Sequence, residues 1–171
     1  MALGTLLAVA VALALTLLLT DAPGAQPRTA RVGLLVSSSE ANFGPNVTVI
    51  REALREAGWV EGRNLTLDVR YLGEHYARLP ELAAELVGRR PDVLVSLGTP
   101  ATLAAKTATT TIPIVMESLS DVVSTGLVSS LARAGGNVTG VSGFTPELMG
   151  KRLELIREMV PRADEIAVLV N

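Results

Sequence analysis

Seven residues that follow apolar runs of the sequence carry side chains suited to binding a polar solute. Six are serines or threonines and one is a carboxylate; they are Ser37, Ser38, Ser39, Thr99, Ser118, Ser120 and Asp121. Hydroxyls donate and accept hydrogen bonds and a carboxylate attracts cations, whereas nucleophilic catalysis also requires a nearby base. No histidine or lysine lies in the same loops. The chemistry therefore favours a binding site over a catalytic site.

Thr99 opens a helix-forming segment directly after a strand-like run, in the sequence DVLVSLGTPATLAAK of residues 92–106. One interpretation is local: Thr99 is the N-cap residue, its hydroxyl accepts a hydrogen bond from a free backbone N–H, and Pro100 suits the first turn. The other interpretation is functional, because the free N–H groups at a helix start bind anions. Capping also explains Asp121 and the other hydroxyls, so both interpretations remain open from the sequence.

Apolar runs and helical stripes alternate along the chain from Arg31 onward. Strand–helix alternation with short connections produces right-handed βαβ units and a parallel sheet covered on both faces. The predicted fold class is therefore α/β, a doubly wound, Rossmann-like parallel sheet. Predicted strands are 31–36, 64–71, 92–96, 112–116, 138–142 and 166–170, and predicted helices are 47–57, 79–88, 101–107, 126–132 and 146–160.

This alternation brings the polar loops together. They follow the first, third and fourth predicted strands, and the carboxyl ends of parallel strands lie at one edge of the sheet. Open α/β sheets bind their ligands at that edge. The sequence therefore predicts one shared site.

Composition excludes several classes of function. The net charge of −2 lacks the concentrated basic face that nucleic-acid phosphates require. Zero cysteines and the single histidine, His75, argue against a zinc site or a Ser-His-Asp triad within this chain. Neither the Gly-x-Gly-x-x-Gly pattern nor the P-loop pattern occurs. Asp92, Glu117 and Asp121 lie near strand ends without a histidine or lysine in the same loops. We therefore expect no enzyme, no metal, no cofactor and no nucleic-acid partner.

Residues 1–25 predict export. Ala2–Leu19 is almost unbroken Ala, Leu and Val, and the small, turn-forming stretch Ala22-Pro23-Gly24-Ala25 follows. This pattern favours a signal peptide cleaved near Ala25, although no positive charge precedes the apolar run; an uncleaved membrane anchor is the alternative. In both cases the rest of the chain is expected outside the cytoplasm, in the periplasm. No cysteine follows the run, which excludes lipid modification there.

The last residues predict one more strand. Ile166–Asn171 is strongly apolar and has no following segment to cover it. Because a natural domain rarely stops at such a strand, we expect residues 26–162 to form an N-terminal lobe. Residues 163–171 would then be the first strand of a truncated second lobe.

Several motifs in order resemble one known family. They are GWVEGRNLTLDVRY, RLPELAAELV, PDVLVSLGTPATLAAKTATTTIPIV, STGLVSSLARAGGNVTGVSG and GKRLELIREMVP, and they run from about Arg31 to Asn171. The chain is similar to the ABC-transporter substrate-binding proteins whose characterised members take up aromatic amino acids such as tryptophan and tyrosine. That family has two α/β lobes of the type I periplasmic-binding-protein kind, joined by a hinge, with the solute between them.

The resemblance implies a set of site residues. The loops at Ser37–Ser39, Gly98–Ala101 and Ser118–Asp121 would form one wall of the cleft, and Gly140–Phe144 would form the first crossing between lobes. The implied ligand-binding residues are Ser37, Ser38, Ser39, Gly98, Thr99, Ala101, Ser118, Asp121 and Phe144. This chain has Asp121-Val122 where many relatives have Asp-Pro, so the identity of the ligand stays open.

If the solute is an amino acid, its carboxylate is expected beside the Thr99 hydroxyl. The N–H groups of Ala101 and Thr102 would complete that site, and Asp121 would receive the ammonium group.

Two functional hypotheses follow. The first is the solute-binding component of an ABC importer, a monomer with a small-molecule solute and a membrane permease as partners. The second is the extracytoplasmic sensing domain of a membrane-anchored signalling protein. A small α/β hydrolase or isomerase is a weaker third, since it would need a histidine in a second half.

Overall fold

The computed structural model describes residues 29–73, 75–118, 120–130, 136–143, 147–162 and 165. The elements in chain order are β1 (Ala30–Val36), α1 (Glu40–Glu56), β2 (Leu65–Tyr71), a 3-10 helix (Tyr76–Arg78), α2 (Leu79–Gly88), β3 (Val93–Leu97), α3 (Thr99–Ala108), β4 (Ile114–Ser118), β5 (Val138–Ser142) and α4 (Glu147–Met159). Phe144, the leader and the strand predicted at 166–170 lie outside the described residues. No helix of the described part has both the length and the hydropathy to cross a bilayer.

The five strands form one sheet in the order β2-β1-β3-β4-β5, and all neighbouring strands are parallel. The predicted α/β fold with a parallel sheet is thus confirmed. The fifth strand has the predicted bounds. The parallel arrangement places the carboxyl ends of β1, β3, β4 and β5 side by side at one edge.

The sheet is covered by different helices on its two faces. On one face, α1 buries Val47, Ile50 and Leu54 against β1 and β3. On the other face, α2 and α3 pack against the alternate residues of the strands, among them Leu94 and Ile114. The side-chain period of two along each strand separates the two halves of the core.

Three predicted elements differ clearly from the structure. The helix predicted at 47–57 begins earlier, at Glu40, and ends at Glu56. The helix predicted at 126–132 is wrong for residues 126–130, which form turns and bends, and residues 131–132 lie outside the described part. Gly126 has a φ of +70°, which interrupts helical geometry at its first residue. The fourth strand begins at Ile114, after Pro113, and ends at Ser118. Glu117 and Ser118 are therefore strand residues and not loop residues.

Candidate functional site

The turn between β3 and α3 requires a glycine. Gly98 has a φ of +95°, a region that residues with a Cβ rarely adopt. The Ser37 hydroxyl donates to the Leu97 carbonyl at 2.9 Å, and a Cβ on Gly98 would overlap the Ser37 hydroxyl oxygen. Gly98 therefore lets the loops after β1 and β3 approach each other closely.

Thr99 does not cap its helix. The N-cap of α3 is Gly98, without a side-chain hydrogen bond. The Thr99 hydroxyl oxygen lies 2.8 Å from that of Ser118 and 2.7 Å from that of Ser120. The two serine oxygens are 3.1 Å apart, so Thr99, Ser118 and Ser120 form a hydroxyl triangle. Of the two interpretations left open by the sequence, the local one, in which Thr99 is the N-cap, does not hold, because its hydroxyl contacts Ser118 and Ser120 instead.

The N–H groups expected at the helix start are less available than predicted. The Thr102 N–H donates to the Gly98 carbonyl at 3.1 Å, so the prediction that it is free is wrong. Ala101 is completely buried in the core beneath α3, which leaves it no surface for a solute in this conformation. An anion at this turn would therefore meet the hydroxyl of Thr99 first.

The three serines after β1 have separate roles. Ser37 joins the first loop to the end of β3 through its bond to Leu97. Ser39 is the N-cap of α1, and its hydroxyl accepts from the Asn42 N–H at 3.4 Å. The Ser38 carbonyl accepts from the Gly73 N–H at 3.4 Å, which anchors the loop beside β2. All three serines remain partly exposed at the edge of the sheet.

Ser142 extends the polar row to β5, and sequence reasoning missed it. Its hydroxyl donates to the Ser120 carbonyl at 3.2 Å. The signal was present, since Ser142 is a hydroxyl residue at the carboxyl end of a predicted strand, as Ser118 is at the end of β4. We call the eight polar side chains at these strand ends, together with Gly98 between them, the polar edge: Ser37, Ser38, Ser39, Gly98, Thr99, Ser118, Ser120, Asp121 and Ser142.

Asp121 stabilises the turn that follows β4. Its Oδ1 accepts from the backbone N–H groups of Val123 at 3.0 Å and Ser124 at 3.2 Å. The hydrogen bonds from Ser124 and Val123 lower the pKa of the Asp121 carboxyl below its usual value. Asp121 thus accepts from backbone N–H groups, as the capping interpretation expects, but these groups belong to a turn and not to the predicted helix.

Glu117 is a second carboxylate at this edge and has a different environment. It lies on β4 opposite Leu97 of β3 and Val141 of β5. Only 9% of the residue is exposed, and its Oε2 has no hydrogen-bond partner among the described residues. Burial raises the pKa of the Glu117 carboxyl.

The arrangement suits recognition of a small polar solute. Hydroxyls can donate to an anion or accept from an amine, and two carboxylates lie nearby. Within the described residues, no group of three acidic, histidine or cysteine side chains is placed to hold a metal ion. Ser37, Gly98, Thr99 and Ser118 are brought together as predicted by the parallel topology, whereas Ala101 lies in the core beneath them.

Comparison with known proteins gives consistent results. A family model described as ABC transporter substrate binding protein matches residues 31–171. A curated relative, the tyrosine-binding protein of Clostridioides difficile strain R20291, is 34% identical over 120 residues, which are 70% of this chain and 34% of the relative.

Two solved structures share the fold. A conserved domain protein from Vibrio cholerae has a TM-score of 0.71 and 34% identity, and the match covers 79% of this chain and 45% of that one. An ABC domain from Streptococcus pneumonia in complex with L-Trp has a TM-score of 0.62 and 28% identity, covering 67% of this chain and 38% of that one. The matched region thus covers less than half the length of each of these three proteins.

Proposed function

This chain belongs to the ABC transporter substrate-binding protein family, and we propose from this premise that it is the extracytoplasmic solute-binding component of an ABC importer. In this proposal the leader directs residues 26–162 to the periplasm, where they form the N-terminal lobe of a monomer. A second lobe begins near residue 163, and a membrane permease receives the solute. The protein itself carries out no reaction.

The observation that supports a solute site is the continuous row of hydroxyls at the carboxyl ends of four parallel strands. The hydroxyls of Thr99, Ser118 and Ser120 contact one another across the ends of β3 and β4. The Ser37 hydroxyl donates to the Leu97 carbonyl at the end of β3, and the Ser142 hydroxyl donates to the Ser120 carbonyl beyond β4. Ligands of open α/β sheets bind at this edge. The polar edge, with Asp121, would form one wall of a cleft between two lobes. Phe144 would belong to the crossing between the lobes.

We propose an amino acid as the solute. A curated relative is named for tyrosine binding, and one similar solved domain holds L-Trp. The carboxylate of an amino acid would accept hydrogen bonds from the hydroxyls of Thr99 and Ser120 near the start of α3, where the helix dipole favours negative charge. The opposing lobe would cover the side chain and exclude water from these polar contacts.

A thermal-shift screen of the full-length protein against the twenty amino acids tests this proposal. A bound amino acid present at about 100 times its Kd stabilises the folded state by about 2.7 kcal/mol. We expect one or a few amino acids to raise Tm, with calorimetry confirming a single site. An unchanged Tm across all twenty would contradict the amino-acid proposal.

A further inference from the structure

Glu117 occupies an unusual position for a carboxylate. It is the penultimate residue of β4, and its row across the sheet contains Val36, Leu97 and Val141. Val36 and Leu97 are fully buried. A carboxylate placed among such side chains loses hydration, and that loss is costly unless hydrogen bonds or an opposite charge replace the water.

The described residues supply neither a hydrogen bond nor an opposite charge to Oε2 of Glu117. That atom is buried and has no hydrogen-bond partner among them, and none of their ion pairs includes Glu117. The raised pKa of this carboxyl agrees with the missing partner, since burial is its cause. The large majority of buried polar side-chain atoms in proteins have a hydrogen-bond partner, so the unpaired Oε2 of Glu117 calls for an explanation.

The position of Glu117 connects it to the polar edge. The next residue, Ser118, belongs to the hydroxyl triangle, and the Glu117 carbonyl accepts from the Gly98 N–H at 2.9 Å. Successive side chains on a strand point to opposite faces, so Glu117 lies on the α1 side and Ser118 on the α3 side. A solute lying across the end of β4 would meet the hydroxyls on one side and this carboxylate on the other.

We propose that Glu117 is the residue that binds the ammonium group of the solute. This inference rests on the proposed function and gives the ammonium role to Glu117 in place of Asp121. An ammonium group supplies three N–H donors and a positive charge, which are the two things that the buried oxygen lacks. Asp121, by contrast, already accepts two backbone N–H groups and is partly exposed.

The test compares amines with the same molecules lacking the amino group. Calorimetry on the full-length protein at pH 7 measures L-tyrosine against 3-(4-hydroxyphenyl)propionate, L-tryptophan against 3-indolepropionate, and spermidine as an amine without a carboxylate. Any other amino acid that raises Tm in the screen is measured with its deaminated analogue. We expect the unsubstituted protein to prefer the amine at least tenfold. We expect Glu117→Gln to reduce that preference to threefold or less, while affinity for the deaminated acid stays within threefold.

Asp121→Asn tests the competing assignment of the ammonium group to Asp121, and we expect this variant to retain the amine preference. If Glu117→Gln keeps the preference and Asp121→Asn loses it, the inference is overturned while the amino-acid proposal stands. If spermidine binds and no amino acid does, the amino-acid proposal is wrong. Weaker spermidine binding by Glu117→Gln would then still support Glu117 as the residue that binds an ammonium group. If no amine binds, both fall.

Stability without ligand gives a second readout. Removing an unpaired buried charge should raise the Tm of the unliganded full-length protein carrying Glu117→Gln. A lower Tm would show that the protein itself stabilises the Glu117 carboxyl group without a solute, and this would overturn the inference. The substitution is nearly isosteric, and circular dichroism of the unliganded variant establishes that it folds.

Discussion

At the turn between β1 and α1, the Ser39 hydroxyl caps the helix that follows. At the turn between β3 and α3, the cap is Gly98, and the Thr99 hydroxyl lies with Ser118 and Ser120. Both turns leave a parallel strand and enter a helix with hydroxyl residues. In the first turn, the Ser39 hydroxyl caps its own helix. In the second, the hydroxyl is placed by residues of another strand.

The difference separates stability from binding. A capping hydroxyl satisfies an N–H that would otherwise lack a partner, so its loss is felt by the fold. The hydroxyls of the triangle bond to one another, and each can exchange such a bond for one to a solute. We therefore expect substitutions in the β1–α1 turn to change stability and substitutions of Thr99 to change affinity.

The largest expected effect is that of Gly98→Ala. The alanine must adopt a φ of +95°, and its Cβ would displace the Ser37 hydroxyl from the Leu97 carbonyl. Backbone strain and the lost hydrogen bond together predict a loss of about 2–4 kcal/mol in the free energy of unfolding. Urea denaturation of the full-length protein measures this loss.

The control is Gly88→Ala at the end of α2, where a new Cβ meets no atom within 4 Å. It should change the free energy of unfolding by less than about 1 kcal/mol. Equal losses for the two variants would show that the β3–α3 turn has no special need for glycine.

The next effect in size concerns affinity. Thr99→Ala removes one corner of the hydroxyl triangle, and we expect the Kd for the bound amino acid to rise at least tenfold, or about 1.4 kcal/mol. The matched variant is Thr107→Ala on the same helix, whose hydroxyl donates to the Leu103 carbonyl within that helix at 2.9 Å. Calorimetry should show an unchanged Kd for Thr107→Ala. If Thr99→Ala left the Kd unchanged and clearly lowered Tm, the role of Thr99 would be structural and not ligand binding.

Ser39→Ala tests the other turn. Loss of the N-cap should reduce the free energy of unfolding by about 1 kcal/mol, and Ser39→Asp should restore it, because aspartate also caps helices. We expect the Kd for the amino acid to stay within threefold in both variants. A tenfold weaker Kd for Ser39→Ala would remove the distinction between the two turns.

The sequence predicts the sheet well because the information is local. The apolar runs and the helical stripe of α2 each specify one element, and the parallel topology then places Ser37, Thr99 and Ser118 at one edge. The partner of each hydroxyl is not local. Thr99 and Ser118 are 19 positions apart, and their contact depends on the register of β3 against β4.

The same limitation explains why the sequence does not distinguish the environments of the two carboxylates at this edge. Asp121 and Glu117 look equivalent in the sequence, since both follow the apolar start of one strand. Only the strand bounds decide between them. β4 extends through Ser118, so Glu117 is buried between Leu97 and Val141 while Asp121 lies in a turn.

The smallest expected effect adds a third turn to the comparison, that of Asp121. Its pKa is lowered in the folded state, so the ionised carboxylate contributes stability that is present above the unfolded pKa. That stability is lost as the pH falls through the folded pKa, over a window below about pH 4. Asp121→Asn keeps an oxygen that accepts the two N–H groups but cannot ionise. We therefore expect the Tm of the unsubstituted protein to fall more steeply with acid than that of the variant.

Salt separates this effect from that of an exposed ion pair. Glu85 also loses stabilisation in acid, because hydrogen bonds from Arg70 lower its pKa to about 2. Those bonds join two charged side chains at the surface, at 2.6 and 3.1 Å, and the charge attraction between them is screened at high ionic strength. Asp121 is held by neutral N–H groups, which are less sensitive to salt. In about 1 M salt, where the Debye length is about 3 Å, the difference in Tm between Asp121→Asn and the unsubstituted protein should persist, and that for Glu85→Gln should shrink. If salt abolished both differences equally, the backbone N–H groups would not be what holds Asp121 ionised.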